Sequence, residues 1–599
     1  MQTSISAHTF HIPVMGLGYT VDTPAKVAQY GISSVVSIMD DQLLEVMRKI
    51  YAQKWNLPYL EIPPEIEDSR AKRVTSYLNL LRQIIELQVN QLQESDLEPG
   101  SPLSIYLDLL PSESPIALLS QALKSASGTQ YDSILKQIKS QLVVGNVDVN
   151  IMTKVDKLNH DEQGNELPRE FSDALSALRG FAESTLRASV IFSAGMNPAL
   201  YGYLEKFADF YPDNSGAPKK GVILKVSDYR SALIQGKFLA KKGIWVSEFR
   251  IESGLNCGGH AFATDGFLIG PILEEFKQNR INLQRELLQT CQQALSEKGF
   301  SLLAQETEIK ITYQGGIGTA NEDVFLRSYY ELDGTGWGSP FLLVPEATSV
   351  DKDTMQRIIN AKNTDFYLSY ASPLGIPFNN LRTSSAEDQR KQRIEKNRPG
   401  SPCYKKFLSF STEFTKIPIC TASRQYQNIK AKQAEAGEIT QIELNKILEK
   451  DCLCEGLSAP AILANGEIPK RNLSAVTICP GPNLAYFKGI YSLKEMVDHI
   501  YGKFNLKLEI DRPHVFIKEL QLYVSHLKKE FDSFLEDKPA KKEAYLDKFK
   551  TNLIQGVNYY QKLVNDFQLD SEEIMDKIKQ HLSTLQVEIE SLELKLVSG

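Results

Sequence analysis

An α/β fold in which eight parallel strands close into a (β/α)8 TIM barrel is the architecture this sequence predicts. Short apolar runs rich in Val, Ile and Phe recur along it, each followed by a stretch of helical character, the alternation of a parallel sheet. They number eight, the count at which such a sheet closes on itself. Glycine-rich stretches follow the later runs directly, where a barrel has its C-terminal mouth and its active site.

The runs are IPVMGL at Ile12, ISSVVSI from Ile32, VDVNIM from Val147, ASVIFSAG from Ala188, GVILKV from Gly221, IWVSEF from Ile244, EIKITYQ from Glu308 and a last one ending in PFLLV at Val344. Each has strand length and few polar residues, as a strand buried on both faces requires. Between the second and third, about residues 40–143, the periodicity is helical, notably over RVTSYLNLLRQIIELQVNQLQ, and reads as a helical insertion in a barrel domain spanning 1–385. Past Arg382 the stretch SSAEDQRKQRIEKNRPGSP has the charge and the Pro-Gly ending of a connector. It leads into a Cys-containing accessory segment, 386–510.

Residues 511–599 read as a C-terminal helical bundle. Ile517, Leu520, Val524, Leu527, Phe531 and Phe534 fall at steps of three and four, the stripe of a helix packed on a partner. Lys538-Pro539 breaks it. A second stripe runs from Leu546 through Leu553 and Tyr560 to Val564, and a third, after Ser571 as cap, from Ile578 to Leu596. The spacing suits an intramolecular bundle and a homo-oligomer interface alike.

A length of 599 residues exceeds what one core needs. The net charge of −7, with both signs interspersed, gives no footprint for nucleic acid or an anionic membrane. No apolar stretch reaches membrane-spanning length, and MQTSISAHTFHIPVMG lacks the pattern of a secretory leader, so the expected location is cytoplasmic. Seven cysteines are then reduced thiols rather than a disulfide scaffold.

The chemistry-bearing motifs cluster at the predicted mouth. IESGLNCGGHAFATDG follows IWVSEF and puts Gly258, Gly259 and His260 there. Paired glycines admit a flat ligand to the backbone, and a histidine beside them can carry a proton near neutral pH. EIKITYQGGIGTANEDVF runs from a strand through Gly315 and Gly316 into a helix start, an arrangement suited to phosphate. DGTGWGSPFLLVPEA adds Gly338 and Ser339, so that the two sets fall after strands seven and eight, where barrels hold cofactor phosphates.

These motifs, in this order, resemble the nitronate monooxygenase family and its relatives, the flavin-containing bacterial enoyl reductases, over about the first 385 residues apart from the insertion. IPVMGLGYTVDTPAKVAQYGISSVVS is similar to the family's opening strand and turn under the flavin, with Met15, Gly16 and Leu17 at the turn. VGNVDVN resembles its PFGVN element and points to Asn150. GVILKVSDYRSA places Lys225 toward the cofactor, GLNCGGH matches GxEAGGH, and GGI recurs as Gly315, Gly316 and Ile317. GSPFLLVPEA resembles the GTRF region, with Gly338, Ser339, Phe341 and Glu346.

The resemblance implies an FMN-binding barrel oxidoreductase acting on a small molecule, with His260 as general acid/base beside the flavin and either O2 or NAD(P)H as redox partner. Nitronate monooxygenase chemistry is the first expectation; an NAD(P)H-dependent enoyl reductase and a non-catalytic flavin-binding assembly or sensor protein are the alternatives. The chain departs from the family at Asn256 in place of Glu, Cys257 in place of Ala and Pro340 in place of Arg. Outside the resemblance, Cys403, Cys420, Cys452, Cys454 and Cys479 gather in the accessory segment. Their spacing leaves two readings open, an iron–sulfur or zinc site and reduced structural thiols. His11, His160 and His499 show no ligand spacing and read as structural or surface residues.

Overall fold

The computed structural model describes residues 6–161, 163–261, 265–509, 511–537 and 540–592, with side chains at 472 and 533–542 set aside. Eight parallel strands form a closed barrel: β1 (Phe10–Ile12), β2 (Ser33–Ser37), β3 (Val147–Met152), β4 (Ser189–Ser193), β5 (Gly221–Val226), β6 (Val246–Glu252), β7 (Lys310–Gln314) and β8 (Gly334–Gly336). Closure comes from β1, which pairs with β2 through His11 and Ser33 and with β8 through Phe10 and Thr335.

Six strands lie where the apolar runs placed them, and the first, Phe10–Ile12, overlaps its run only at Ile12, the rest of IPVMGL being loop. The eighth does not: Ser339–Leu343, overlapping the expected PFLLV strand, is a short 3-10 turn, and the strand is Gly334–Gly336, which begins six residues before Pro340. The reason is space inside the barrel. A Cβ on Gly336 would stand 2.5 Å from the Gln314 Cβ and 2.9 Å from His11, so glycine is required where β8 crosses its neighbours, and no apolar run marks it. Phe341 is buried for a different purpose, stacking on Phe10 with ring centroids 6.0 Å apart.

Side chains fill the barrel in layers. One is apolar, with Val35, Ile191 and Ile223 packed together and Val14 against them. Another is ionic: Arg250 reaches Asp148 at 2.7 Å and Glu248 at 2.6 Å, and Thr312 donates to Glu248 at 2.7 Å. Burial alone would raise Glu248, but Arg250 overcomes it and holds the carboxyl down at about 2, whereas burial keeps Asp148 above the ordinary carboxylate range. Asn150, Met152 and Glu252, two or four residues further along the same inward faces, reach the mouth.

The insertion is helical as expected. The helices Asp41–Lys54 and Ser69–Glu94 pack on the barrel core through Leu44, Tyr77 and Leu81. Three shorter ones, Pro102–Leu109, Pro115–Leu123 and Thr129–Ser140, enclose a small core of their own around Leu103, Tyr106 and Ile138. The stretch read as a connector is instead an ordered helix, Ser385–Glu395: Ser384 caps it, and Arg390 pairs with Glu387 at 2.7 Å within it. Its charges lie along a helix rather than in a tether.

The last three helices, Val515–Asp537, Ala540–Asp566 and Glu572–Glu590, bury the expected stripes from Ile517 to Phe531, Leu546 to Val564 and Ile578 to Ile589. Lys538, Pro539 and Leu596 lie outside the described residues, and nothing is described of the Phe534 side chain. These helices share one continuous hydrophobic core with the barrel and the cysteine-containing segment. No helix among the described residues is long and apolar enough to cross a membrane.

Candidate functional site at the barrel mouth

Past β8 the chain makes an antiparallel hairpin, β9 (Phe366–Ser369) and β10 (Phe378–Leu381), which leans over the loop that follows β6. That loop, residues 253–261, is held from both sides. Asn379 donates its N–H to the Gly259 carbonyl at 2.8 Å and Ala261 donates to Pro377 at 2.9 Å, while on the other side Gly259 donates to Cys479 at 2.9 Å. Gly258 has φ +125°, and a Cβ there would lie 2.2 Å from the Cys479 carbonyl oxygen. Backbone, not ligand, makes Gly258 a glycine.

Asn256, the departure from the family's glutamate, is the knot of this loop. Its Nδ2 donates to the His260 carbonyl at 2.7 Å; its Oδ1 accepts from Gly258 N–H at 3.0 Å and from Asn379 Nδ2 at 2.9 Å. An amide supplies both donor and acceptor, which a carboxylate could not. Cys257 is buried against Gly338, and burial, helped by Glu252, pushes its thiol well above the ordinary range. It is a small filler, not a nucleophile.

Under this loop the strand ends enclose a cavity of about 140 Å3. Gly16 and Leu17 border it after β1, Asn150 on β3, Lys225 on β5, and Gly258, Gly259 and His260 after β6. Phe407, Leu408, Leu453, Cys454 and Leu457 roof it, so the cysteine-containing segment is its lid. A wider surface hollow, about 1360 Å3, runs past Asp351, Arg357 and Asp388 and touches none of the strand ends. The mouth cavity is the better candidate because chemistry-bearing groups converge there.

His260 has Nε2 2.6 Å from the Ser372 hydroxyl, and its ring meets Phe378 edge-on with centroids 5.1 Å apart. Burial, then the charges of Lys154 and Lys225, lower its pKa to about 4, so it is a neutral imidazole at neutral pH. Lys225 pairs with Glu252 at 2.7 Å, and Glu252 also accepts from Gln314 Nε2 at 2.8 Å. Asn150 is 6% exposed, and its Oδ1 has no hydrogen-bond partner among the described residues. A buried carbonyl left so costs about 1–3 kcal/mol unless a ligand supplies a donor. Gly259, with nothing within 4 Å of where its Cβ would be, leaves open space beside it.

The expected phosphate loops are not on this wall. A Cβ on Gly315 or Gly316 would lie 2.2 Å from Leu255, and one on Gly338 2.7 Å from Cys257. Ser339 donates to the Cys257 carbonyl at 2.9 Å and accepts from Gly481 N–H at 2.7 Å; the Ile317 carbonyl accepts from Asn483. At the adjoining helix start, Glu322 takes the Gly318 and Val515 N–H groups and pairs with Arg512 at 2.8 Å. A carboxylate of the chain itself thus holds this helix end. Met15 is buried behind the cavity, its N–H bonded to Thr20.

No protein-family model matches the chain, and no curated protein does. Among solved structures, FabK from Thermotoga maritima is similar over 63% of this chain and 82% of its own, at 12% identity and a TM-score of 0.30. The enoyl reductase domain of MlnA, from the macrolactin biosynthesis cluster of Bacillus amyloliquefaciens, is similar over 75% and 88%, at 15% identity and a TM-score of 0.31.

Several residues at the site carried no mark in the sequence. Ser372, Asn379 and Leu457 come from segments more than 100 residues from His260 and show no motif, and Cys454, marked only as a candidate metal ligand, lines the cavity instead. Glu252 could have been found, since it ends the strand that the glycine-histidine loop follows. Of the other histidines, His11 bonds Gln314, His499 bonds the Gly318 carbonyl, and His160 forms a short backbone bridge with Glu166.

Proposed function

We propose that this chain is a flavin-dependent oxidoreductase that binds the flavin ring at the barrel mouth and keeps His260 beside it to hold or move a proton. The unpartnered Asn150 carbonyl, buried on the cavity wall, is the observation that supports it most. The pyrimidine edge of a flavin presents one N–H between two carbonyls. Asn150 Oδ1 suits the N–H, the Lys225 ammonium suits a carbonyl, and the open side of Gly259 lets a flat ring approach the backbone. The ring half of FMN therefore fits these residues. The phosphate half does not fit Gly315, Gly316, Gly338 and Ser339, which the chain itself engages. A flavin bound here supplies storage of two electrons; orientation and proton transfer come from the protein.

A volume of about 140 Å3 is below the roughly 300–1,000 Å3 of ligand pockets, so Leu408, Leu453 and Leu457 must give way as the ring enters. His260, bonded to Ser372 and kept neutral because burial disfavours the imidazolium, would orient the substrate and pass a proton beside the flavin; a nitronate, having already lost its α-proton, asks no abstraction from carbon of it. The charges of Lys154 and Lys225 that depress it also favour an anionic substrate, and a small closed cavity favours a short one. A nitronate has both properties. We therefore read the reaction as nitronate oxidation, with O2 as electron acceptor.

The test is to purify the full chain, identify any small molecule released on denaturation, and titrate flavin into the colourless fraction. Flavin binding that weakens at least tenfold in Asn150→Leu, with nitronate turnover falling about 100-fold or more in His260→Gln, is expected. A chain that takes up no flavin ends the reading. Rapid bleaching of bound flavin by NADPH, without nitronate turnover, moves it to reduction of activated alkenes.

A further inference from the structure

We propose that Glu252 is the positioning residue of the flavin site, fixing the direction of the Lys225 ammonium and offsetting its charge beside the pyrimidine edge of the ring; this rests on the flavin reading above. Among the described residues the cysteines Cys403, Cys420, Cys452, Cys454 and Cys479 bring no three metal donors together. The charged side chains that do meet are at the barrel mouth, where four residues form a belt across the inside of the strands. Lys225 stands near the end of β5, Glu252 closes β6 and Gln314 closes β7, and Glu252 and Gln314 are paired in the sheet. Lys225 Nζ lies 2.7 Å from Glu252 Oε2, Gln314 Nε2 donates to Glu252 Oε1 at 2.8 Å, and Gln314 Oε1 lies 3.3 Å from His11 Nε2.

The belt passes over β8 at Gly336, where a Cβ would stand 2.5 Å from Gln314 Cβ and 2.9 Å from His11 Nε2. Glycine there lets Gln314 and His11 meet. Each link has one sense. Burial, then the charge of Arg250, keeps His11 neutral, and because Gln314 Oε1 can only accept, His11 Nε2 carries the proton. The Gln314 amide therefore turns its N–H to Glu252. One carboxylate oxygen is taken by Gln314 and by the Cys257 N–H at 3.4 Å, which leaves the other for Lys225.

A lysine is a point charge on a flexible stem, with no direction of its own. The belt supplies one, anchored in the barrel interior rather than in the roof. Both residues line the cavity, and Lys225 is the more exposed of the two. Two electrons and one proton added to a flavin leave a negative charge on its pyrimidine edge. An ammonium beside that edge stabilises the charge, and a carboxylate 2.7 Å from the ammonium weakens the effect. Glu252 thus keeps the ring a readier donor of electrons than Lys225 alone would, which suits passage of electrons to O2.

The reduction potential of flavin in the full chain is measured against a reference dye, and the His260 ring is titrated in the flavin-free chain. Glu252→Gln should favour the reduced ring about tenfold, a rise of about 30 mV for two electrons, and Lys225→Met should lower the potential. With Lys225→Met already in place, Glu252→Gln should shift the equilibrium by no more than about threefold. Equal potentials in the parent and Glu252→Gln, or an effect of full size without Lys225, overturns the proposal. In the flavin-free chain His260 is half protonated at about pH 4; Glu252→Gln, with Lys225 unopposed, should keep it neutral there, and Lys225→Met should protonate it more fully. These shifts in a chain that takes up no flavin would end the flavin reading and still support Glu252 as the residue that sets the Lys225 charge. A His260 titration identical in all three proteins overturns the proposal whether or not flavin binds.

Discussion

Glu519 ties the C-terminal helices to the start of the helix that follows the His260 loop, and its protonation should set how firmly they dock. It lies fully buried in the first turns of Val515–Asp537, and its Oε2 accepts from the N–H of Ile269, the first residue of the helix Ile269–Lys298 that follows the His260 loop. That helix end favours a carboxylate, by about 1–2 kcal/mol at most. Burial opposes it and wins: Oε1 has no partner among the described residues, and the pKa rises from 4.5 to about 7. Below pH 4.5 the folded and unfolded chains both carry the proton. Between 4.5 and 7 only the folded chain keeps it, so stability falls with pH, by about 1.4 kcal/mol for each decade, and levels off above 7. The total is about 3 kcal/mol. Glu519→Gln removes the titration, at a cost of about 1 kcal/mol for an amide that lacks one partner. In urea denaturation the variant should be slightly weaker than the parent at pH 5 and about 2 kcal/mol stronger at pH 8. The comparison cancels every other titrating group, so an offset between the two proteins that stays constant from pH 5 to 8 would refute the reasoning.

Two further substitutions probe the loop itself. Gly258→Ala puts a methyl 2.2 Å from the Cys479 carbonyl at φ +125° and should cost about 2–4 kcal/mol in denaturation, whereas Gly259→Ala, at φ +74° but with no atom within 4 Å, should cost only the backbone strain of about 1 kcal/mol and crowd the cavity; equal midpoints for the two would contradict the packing described. Ser372→Ala removes the hydroxyl that accepts from Leu374 N–H and is thereby free to donate to His260 Nε2, so turnover should fall about two- to tenfold and the His260 pKa should climb from about 4, read from ring proton shifts. An unchanged pH profile would remove Ser372 from any role in positioning the imidazole.

The barrel was legible because most of its strands lie in short runs rich in Val, Ile and Phe, even where Asp148, Glu248 and Arg250 interrupt them. The eighth advertises nothing. Gly334–Gly336 is a strand because Thr9, His11 and Gln314 crowd it, a tertiary fact with no local pattern. The charged stretch after Arg382 failed in the opposite direction: density of charge signals solvent exposure, and a solvent-facing helix has it as much as a tether does. The Ser384 cap was the one local sign of the helix. The glycine doublet at Gly315 and Gly316 was read as space for a phosphate, yet a glycine reports only that something comes close. Here that something is Leu255.

His260 was marked by its glycine loop and Asn150 and Lys225 by the resemblance; that all three border one cavity follows from the barrel, whose strand ends must face one another. What fixes their geometry was not readable. The imidazole is oriented by Ser372 and Phe378 from the hairpin beyond β8; its loop is pinned by Asn379 on one side and Cys479 on the other; the roof above it comes from Phe407 to Leu457. Asn256 and Cys257, which look like losses beside the related motif, are the residues that let this loop accept those outside partners, one through an amide that bonds in both senses and one through a side chain small enough to sit against Gly338. The segments outside the barrel therefore do more than decorate it. They fix the position of His260 and share the barrel's own hydrophobic core.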